Sequence, residues 1–232
     1  MAVTEGEGVS AVKQGAGRPM KGYFTADGIR VPGVTTITGF YKTRQLMVWA
    51  NKEGLAGRSI DEKRDEAASV GSLVHGWIES YIHGRDGYYP TQDEPEFLVG
   101  AWSGFKAFLD WAEQVDLNVI ETEAPLISER YRYGGTLDAV ALVGGTLKLL
   151  DWKTSGGVYS SMLAQLGAYR QLLRERDGNT APDAAQLLRV GKEHGDFHFH
   201  SYPQSILDLG WRQFLLWRES YELEKELKKV AA

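Results

Sequence analysis

Two adjacent glycines, Gly144 and Gly145, separate two apolar runs in the middle of the chain, and no other feature narrows the possible folds as far. Gly-Gly makes a good two-residue hairpin loop because glycine enters positive φ at little steric cost. Residues 135–143 alternate and residues 146–152 are rich in apolar side chains, so the two runs read as the arms of one hairpin. Val143 then stands opposite Thr146, and continuing that register puts Asp138 opposite Asp151. Directly opposed side chains share a face with Cβ atoms about 4.5–5.5 Å apart, where two like charges destabilise a sheet. Such a pair needs a counter-charge. A divalent cation between the carboxylates supplies it, and oxygen ligands suit magnesium or manganese. Strand alternation places Lys153 on the same face as Asp151, where an ammonium beside a metal-bound water can orient it or stabilise charge developing at phosphorus.

The rest of the chain organises around this hairpin. Residues 118–127 read as a preceding strand, 158–176 as a following helix, 185–190 and 196–201 as further strands, and 203–230 as a long amphipathic helix. The first half is mainly helical. Helices are expected near 42–55, over 66–83 with Val70, Val74, Trp77, Ile78 and Tyr81 on one stripe, and over 95–113 with Trp102, Phe105, Leu109 and Ala112 facing inward. Residues 23–38 read as a short hairpin turning at Asp27-Gly28, followed by an extended Pro-Gly-Val-Thr-Thr run. Residues 1–20 lack an apolar period and are expected as a flexible tail. The expectation is one α/β domain over 21–232, a mixed central sheet flanked by helices. Its helical portion spans about 42–115, its catalytic core about 118–202 and its C-terminal helix about 203–230.

Composition removes several kinds of chemistry. With no cysteine, the chain has no disulfide, thiolate zinc site, cysteine-ligated iron–sulfur cluster or cysteine nucleophile. A net charge of -5 argues against coating nucleic acid by bulk attraction, but residues 1–60 carry eight Lys/Arg against four Asp/Glu. Arg30, Lys42, Arg44, Lys52 and Arg58, interleaved with aromatic residues, suit a surface that tracks a single strand by phosphate contact and base stacking. No run of eighteen apolar residues occurs and residues 1–20 have no apolar centre, so a cytoplasmic location away from membranes is expected.

Gly135-Thr-Leu-Asp138 followed by Leu-Leu-Asp151-Trp-Lys153-Thr154 resembles the Asp…(Asp/Glu)-x-Lys core of the PD-(D/E)XK nuclease superfamily, in its RecB-like exonuclease branch. Upstream, Gly71-x-x-x-His75-x-x-x-Glu79 is similar to a helical pattern of that branch, and downstream Gln165-x-x-x-Tyr169 is similar to another. The segments occur in the family's order over roughly residues 67–170. Pro32-Gly-Val-Thr-Thr-Ile looks like the lead-in of phage-type and mitochondrial genome maintenance exonucleases.

The resemblance implies a restriction-endonuclease-like fold and a metal-dependent DNA exonuclease. It also implies a ligand set of His75, Asp138, Asp151 and the Trp152 carbonyl for one or two Mg²⁺ or Mn²⁺ ions, with Lys153 catalytic. Glu79 would support His75, since residues four apart share a helical face; by its own neighbours His75 reads as a packed histidine. Glu123 resembles an acid that many branch members place near the metal; strand alternation puts Glu121 on the same face, and the Ala-Pro that follows Glu123 favours it over Glu121. Gln165 and Tyr169 would contact DNA, together with Thr154 and with Arg44 of the basic segment, although on sequence alone Tyr169 suits the core better and Thr154 could simply cap its strand. The partners implied are single-stranded or ended DNA and recombination or replication proteins. Two alternatives stand beside this reading: a non-catalytic DNA-binding or assembly module on the same fold, and a structure-selective endonuclease.

Overall fold

The computed structural model describes residues 12–41, 43–84, 96–190 and 197–231, with the side chains of residues 43–45, 63, 66–67 and 96–97 outside that description. Over these residues the chain runs β1 (Lys13–Gln14), β2 (Tyr23–Phe24), β3 (Arg30–Val31), α1 (Val34–Phe40), α2 (Thr43–Leu55), α3 (Ile60–Ile82) and α4 (Glu96–Gln114). It continues through β4 (Leu117–Ser128), β5 (Tyr133–Val143), β6 (Thr146–Lys153), α5 (Ser160–Asp177), β7 (Ala184–Val190), β8 (Phe197–Tyr202) and α6 (Gln204–Ala231).

Gly144 and Gly145 adopt φ of 56° and 74°, the doubly left-handed turn that a tight hairpin needs. The β5–β6 ladder runs from Val143↔Thr146 to Ala139↔Leu150 in the expected register, and Asp138 and Asp151 follow as its next position. Around this hairpin six strands form one mixed sheet in the order β1-β4-β5-β6-β7-β8. The β1–β4 and β6–β7 pairs are parallel and the other neighbours antiparallel. A mixed sheet between helices is the restriction-endonuclease-like architecture expected from the sequence.

Each face of the sheet carries its own core. On one side α1, α5 and α6 bring Val34, Ile37, Leu166, Leu173, Leu207 and Phe214 onto Leu137, Val140, Leu149 and Leu187. On the other, α3 and α4 bring Val74, Ile78, Phe105 and Phe108 onto Ala139, Ala141, Leu150, Trp152 and Leu188. Helices α5 and α6 approach closely because Gly167 and Gly210 sit at their crossing. A Cβ on Gly210 would lie 2.2 Å from the Leu163 carbonyl oxygen, and one on Gly167 2.3 Å from the Trp211 nitrogen. Buried Arg170 clamps the same region, donating to Asp208 (2.7 Å) and Asp183 (3.2 Å).

Three segments differ from expectation. Residues 34–36 of the run expected as extended open helix α1 after Gly33. Val34, Ile37 and Thr38, spaced three and four apart, are all buried, and that burial outweighs a β-branched propensity penalty of only about 0.5 kcal/mol per residue. Helix α3 begins at Ile60 rather than 66, because Ser59 caps it by accepting from the Glu62 amide and Asp61 and Glu62 suit its positive first turn. The charged stretch is thus the helix's solvent-facing start. Finally, residues 1–20 are not wholly a tail: Lys13 and Gln14 pair with Glu121 and Thr122 at the sheet edge. No helix among the described residues is long and apolar enough to cross a membrane.

Candidate active site

The candidate site lies where β5 and β6 leave their ladder, beneath α3 on one side and α5 on the other. Past Ala139↔Leu150 the backbone ladder gives way to a side-chain contact, in which the Trp152 amide donates to Asp138 Oδ2 over 2.7 Å. Asp151 is fully buried. Its Oδ2 lies 2.5 Å from Lys153 Nζ, and its Oδ1 accepts from Gln165 Nε2 over 3.0 Å. The counter-charge demanded by two neighbouring acids is therefore supplied, within the protein itself, by Lys153.

Helix α3 brings His75 to the same place. Its Nε2 lies 3.2 Å from the Trp152 carbonyl oxygen, which can only accept, so Nε2 carries a proton, and in the neutral ring Nδ1 is the nitrogen with the lone pair. That Nδ1 is 4.0 Å from Asp138 Oδ1. Gly71, one turn earlier, lets the helix come this close: a Cβ there would sit 3.0 Å from Thr154 Oγ1. Glu79, one turn later, accepts from Gln14 of β1 over 2.6 Å, so the N-terminal strand braces the site.

Glu123 completes the cluster through an unusual backbone. It has φ of 47°, in the left-handed region, in the middle of β4. A side chain other than glycine held there costs of order 1–3 kcal/mol and persists only where its surroundings enforce it. The flanking pairs Thr122↔Ala139 and Ala124↔Leu137 place Glu123 opposite Asp138. The same kink separates the two glutamates that strand alternation placed together. Glu121 pairs with Lys13 (3.0 Å) and Arg176 (2.7 Å), whereas ligand atoms of His75, Glu123 and Asp138 lie within 4.8 Å of one another.

The electrostatics follow from this crowding. Burial, with Asp138 and Glu79 nearby, pushes the Glu123 carboxyl up to about 7. Burial also pushes Asp151 up to about 6, Asp138 adding to the rise while Lys153 opposes it. For Lys153, burial works against the charge but Asp151 and Asp138 outweigh it and raise its pKa. Two acids that resist ionising beside an ammonium and an imidazole lone pair fit a divalent cation, whose charge would relieve both.

The remaining expected residues fall into place differently. Gln165 and Tyr169, expected against DNA, are only 5% and 3% exposed. The Gln165 amide turns inward to Asp151 and to the Tyr169 hydroxyl (3.3 Å), because a buried carboxylate needs a donor more than solvent does. Thr154 is half-buried against Gly71. Arg44 lies on α2, and its side chain falls outside the described residues, as does all of Lys42. Arg58 of the basic segment is engaged with Glu53. A different positive surface was not anticipated: Arg130 and Arg132 on the β4–β5 turn face Arg212 and Arg218 on α6. The two pairs are some eighty residues apart in sequence, so only folding brings them together.

No family model matches the chain, and no curated protein matches its sequence. Among solved structures it is similar to the protein SSO0001 at 14% identity, covering 63% of this chain and 74% of that one with a TM-score of 0.29. It is also similar to a candidate exonuclease from Eubacterium rectale at 15% identity, covering 71% and 68% with a TM-score of 0.40. An alkaline exonuclease from Laribacter hongkongensis matches at 17% identity, covering 54% and 69% with a TM-score of 0.28.

Proposed function

We propose that the chain is a metal-dependent deoxyribonuclease of the RecB-like PD-(D/E)XK kind, an exonuclease acting on single-stranded or ended DNA in the cytoplasm, phage-type in its role and working beside recombination or replication proteins. The observation that carries this reading is the convergence of His75, Glu123 and Asp138 within 4.8 Å of one another, beside the Asp151–Lys153 pair. The two carboxylates, with Asp151 and the Trp152 carbonyl adjoining, are oxygen donors of the kind that Mg²⁺ or Mn²⁺ takes, and the imidazole nitrogen beside them suits Mn²⁺ better than Mg²⁺. When bound, the ion supplies a Lewis acid for the phosphate and lowers the pKa of a water. Lys153 holds a positive charge where the attacking water and the phosphate oxygens would lie, orienting the one and stabilising charge on the other. Gln165 fixes the Asp151 carboxylate, and the Nε2–H bond to Trp152 fixes the ring of His75 so that Nδ1 faces Asp138.

The test is cleavage of end-labelled linear and circular DNA, single-stranded and duplex, with Mg²⁺, Mn²⁺ or chelator, comparing wild type with Lys153→Ala. Metal-dependent loss of linear DNA, absent in a folded Lys153→Ala protein, is the expected result. Cutting of circles would replace the exonuclease by an endonuclease, and wild-type activity in Lys153→Ala would overturn the assignment of that residue. Metal-linked stabilisation with no cleavage of any substrate would point to a binding module instead.

A further inference from the structure

The β4–β5 turn and the middle of α6 enclose a groove of about 630 Å³ lined by Arg130, Arg132, Arg212 and Arg218, with Tyr131, Leu215, Leu216 and Glu219. Four guanidinium groups around one opening are unusual in a chain of net charge -5. Two are already engaged: Arg132 forks onto Asp27 (2.9 and 3.2 Å), and Arg218 donates to the Arg132 carbonyl while pairing with Glu222 (2.9 Å). These contacts fix the groove's walls. Arg130 and Arg212 are exposed, and neither forms an ion pair among the described residues; Arg130 lies 5.1 Å over the Tyr131 ring. With Arg132 and Arg218 paired to Asp27 and Glu222, and Glu219 in the lining, the unpaired charge of the groove rests on Arg130 and Arg212.

Planar guanidinium forks match phosphate oxygens, and an aromatic ring with leucines beside them offers a surface on which bases pack. The groove also has a defined relation to the candidate site. Arg132 precedes Asp138 by six residues, and the chain from one to the other runs along β5 and spans about 20 Å at about 3.3 Å per residue. That is the axial length of about six stacked nucleotides at about 3.4 Å each, and because Tyr133, Gly134, Gly135 and Leu137 are buried, a strand passes around them rather than along them. We propose that the groove is a second phosphate-contact site, holding the backbone of a DNA strand some six nucleotides from the bond positioned at Asp138 and Asp151. This rests on the nuclease reading above and assigns that enzyme a minimum length of tightly held substrate.

The experiment measures binding of 5′-labelled single strands of four and fifteen nucleotides by fluorescence anisotropy, in chelator so that nothing is cut, over a range of salt. It compares wild type, Arg130→Ala/Arg212→Ala, and the charge-matched Arg64→Ala/Lys106→Ala on the opposite helical layer, each checked for folding by circular dichroism. The groove variant is expected to bind the fifteen-mer at least tenfold more weakly, with the log–log salt slope reduced by about 1.4 for two lost single-strand phosphate contacts. The control variant's affinity for both lengths should stay at wild type, and the groove variant should lose more on the fifteen-mer than on the four-mer, which cannot span both sites. An unchanged fifteen-mer affinity and slope, or equal weakening for both lengths, would overturn the proposal, as would failure of wild type to bind DNA. Cleavage with Mn²⁺ is scored separately. Groove-dependent binding without cleavage sinks the nuclease reading alone, and cleavage with groove-independent binding sinks the groove alone.

Discussion

Gln165 on α5 donates from Nε2 to Asp151 Oδ1 over 3.0 Å, linking the helix to the most deeply buried acid of the sheet. A hydrogen bond to a charged group contributes roughly 1.5–3 kcal/mol. Gln165→Ala is therefore expected to lower the cleavage rate roughly 10- to 100-fold at saturating Mn²⁺, with the fold retained. Initial rates and circular dichroism check this; a wild-type rate would mean that Lys153 alone holds Asp151 in place.

The two raised carboxyls make a prediction about pH. Asp151 at about 6 and Glu123 at about 7 stand above their ordinary values of 3.8 and 4.5, chiefly through burial. The folded protein thus binds these protons more tightly than the unfolded chain, so their contribution is full below about pH 4 and is lost as pH rises through about 6 and 7. Asp27 and Asp183, held low by arginines, have finished titrating before this window. In chelator the melting temperature should fall between pH 5 and pH 8, and Mn²⁺ should raise it more at pH 8 than at pH 5. A rise across that interval in chelator, or a Mn²⁺ effect independent of pH, would contradict the assignment.

The left-handed backbone at Glu123 separates strain from charge. Glu123→Gln removes the charge and keeps the strained φ of 47°; Glu123→Gly removes both. The glycine variant is expected to exceed the glutamine variant by about 1 kcal/mol in urea denaturation, with both losing Mn²⁺ affinity. Equal stabilities would show that the kink costs nothing here.

Gly210→Ala tests the crossing of α5 and α6. A methyl 2.2 Å from the Leu163 carbonyl oxygen must push backbone from backbone. The expected loss is about 1–3 kcal/mol or more, read from the urea midpoint, despite alanine's better helix propensity. A gain would mean that the helices part without cost.

Much of this architecture is written locally. Gly144-Gly145 sets the hairpin register, and the apolar stripes of α3 and α4 announce themselves by their spacing. What escaped local reading was decided at a distance. Helix α1 forms because Val34 and Ile37 meet α5, which overrides their extended propensity. The kink at Glu123 answers to Asp138 across the ladder rather than to its own neighbours. Gln165 and Tyr169 share a helical face as expected, but whether that face meets DNA or a buried acid depends on how deeply α5 settles on β6. The start of α3 was the exception, since Ser59-Ile-Asp-Glu62 carries its capping signal in plain view.

The short strand β1 gives the site a timetable. Lys13 pairs with Glu121, more than a hundred residues later, and Gln14 reaches Glu79. During synthesis Lys13 has no Glu121 to pair with until β4 has emerged. Long-range closure of this kind is slow and entropically expensive, and a two-residue edge strand offers little to hold it. The brace on the acids thus closes a loop of more than a hundred residues through a strand of only two.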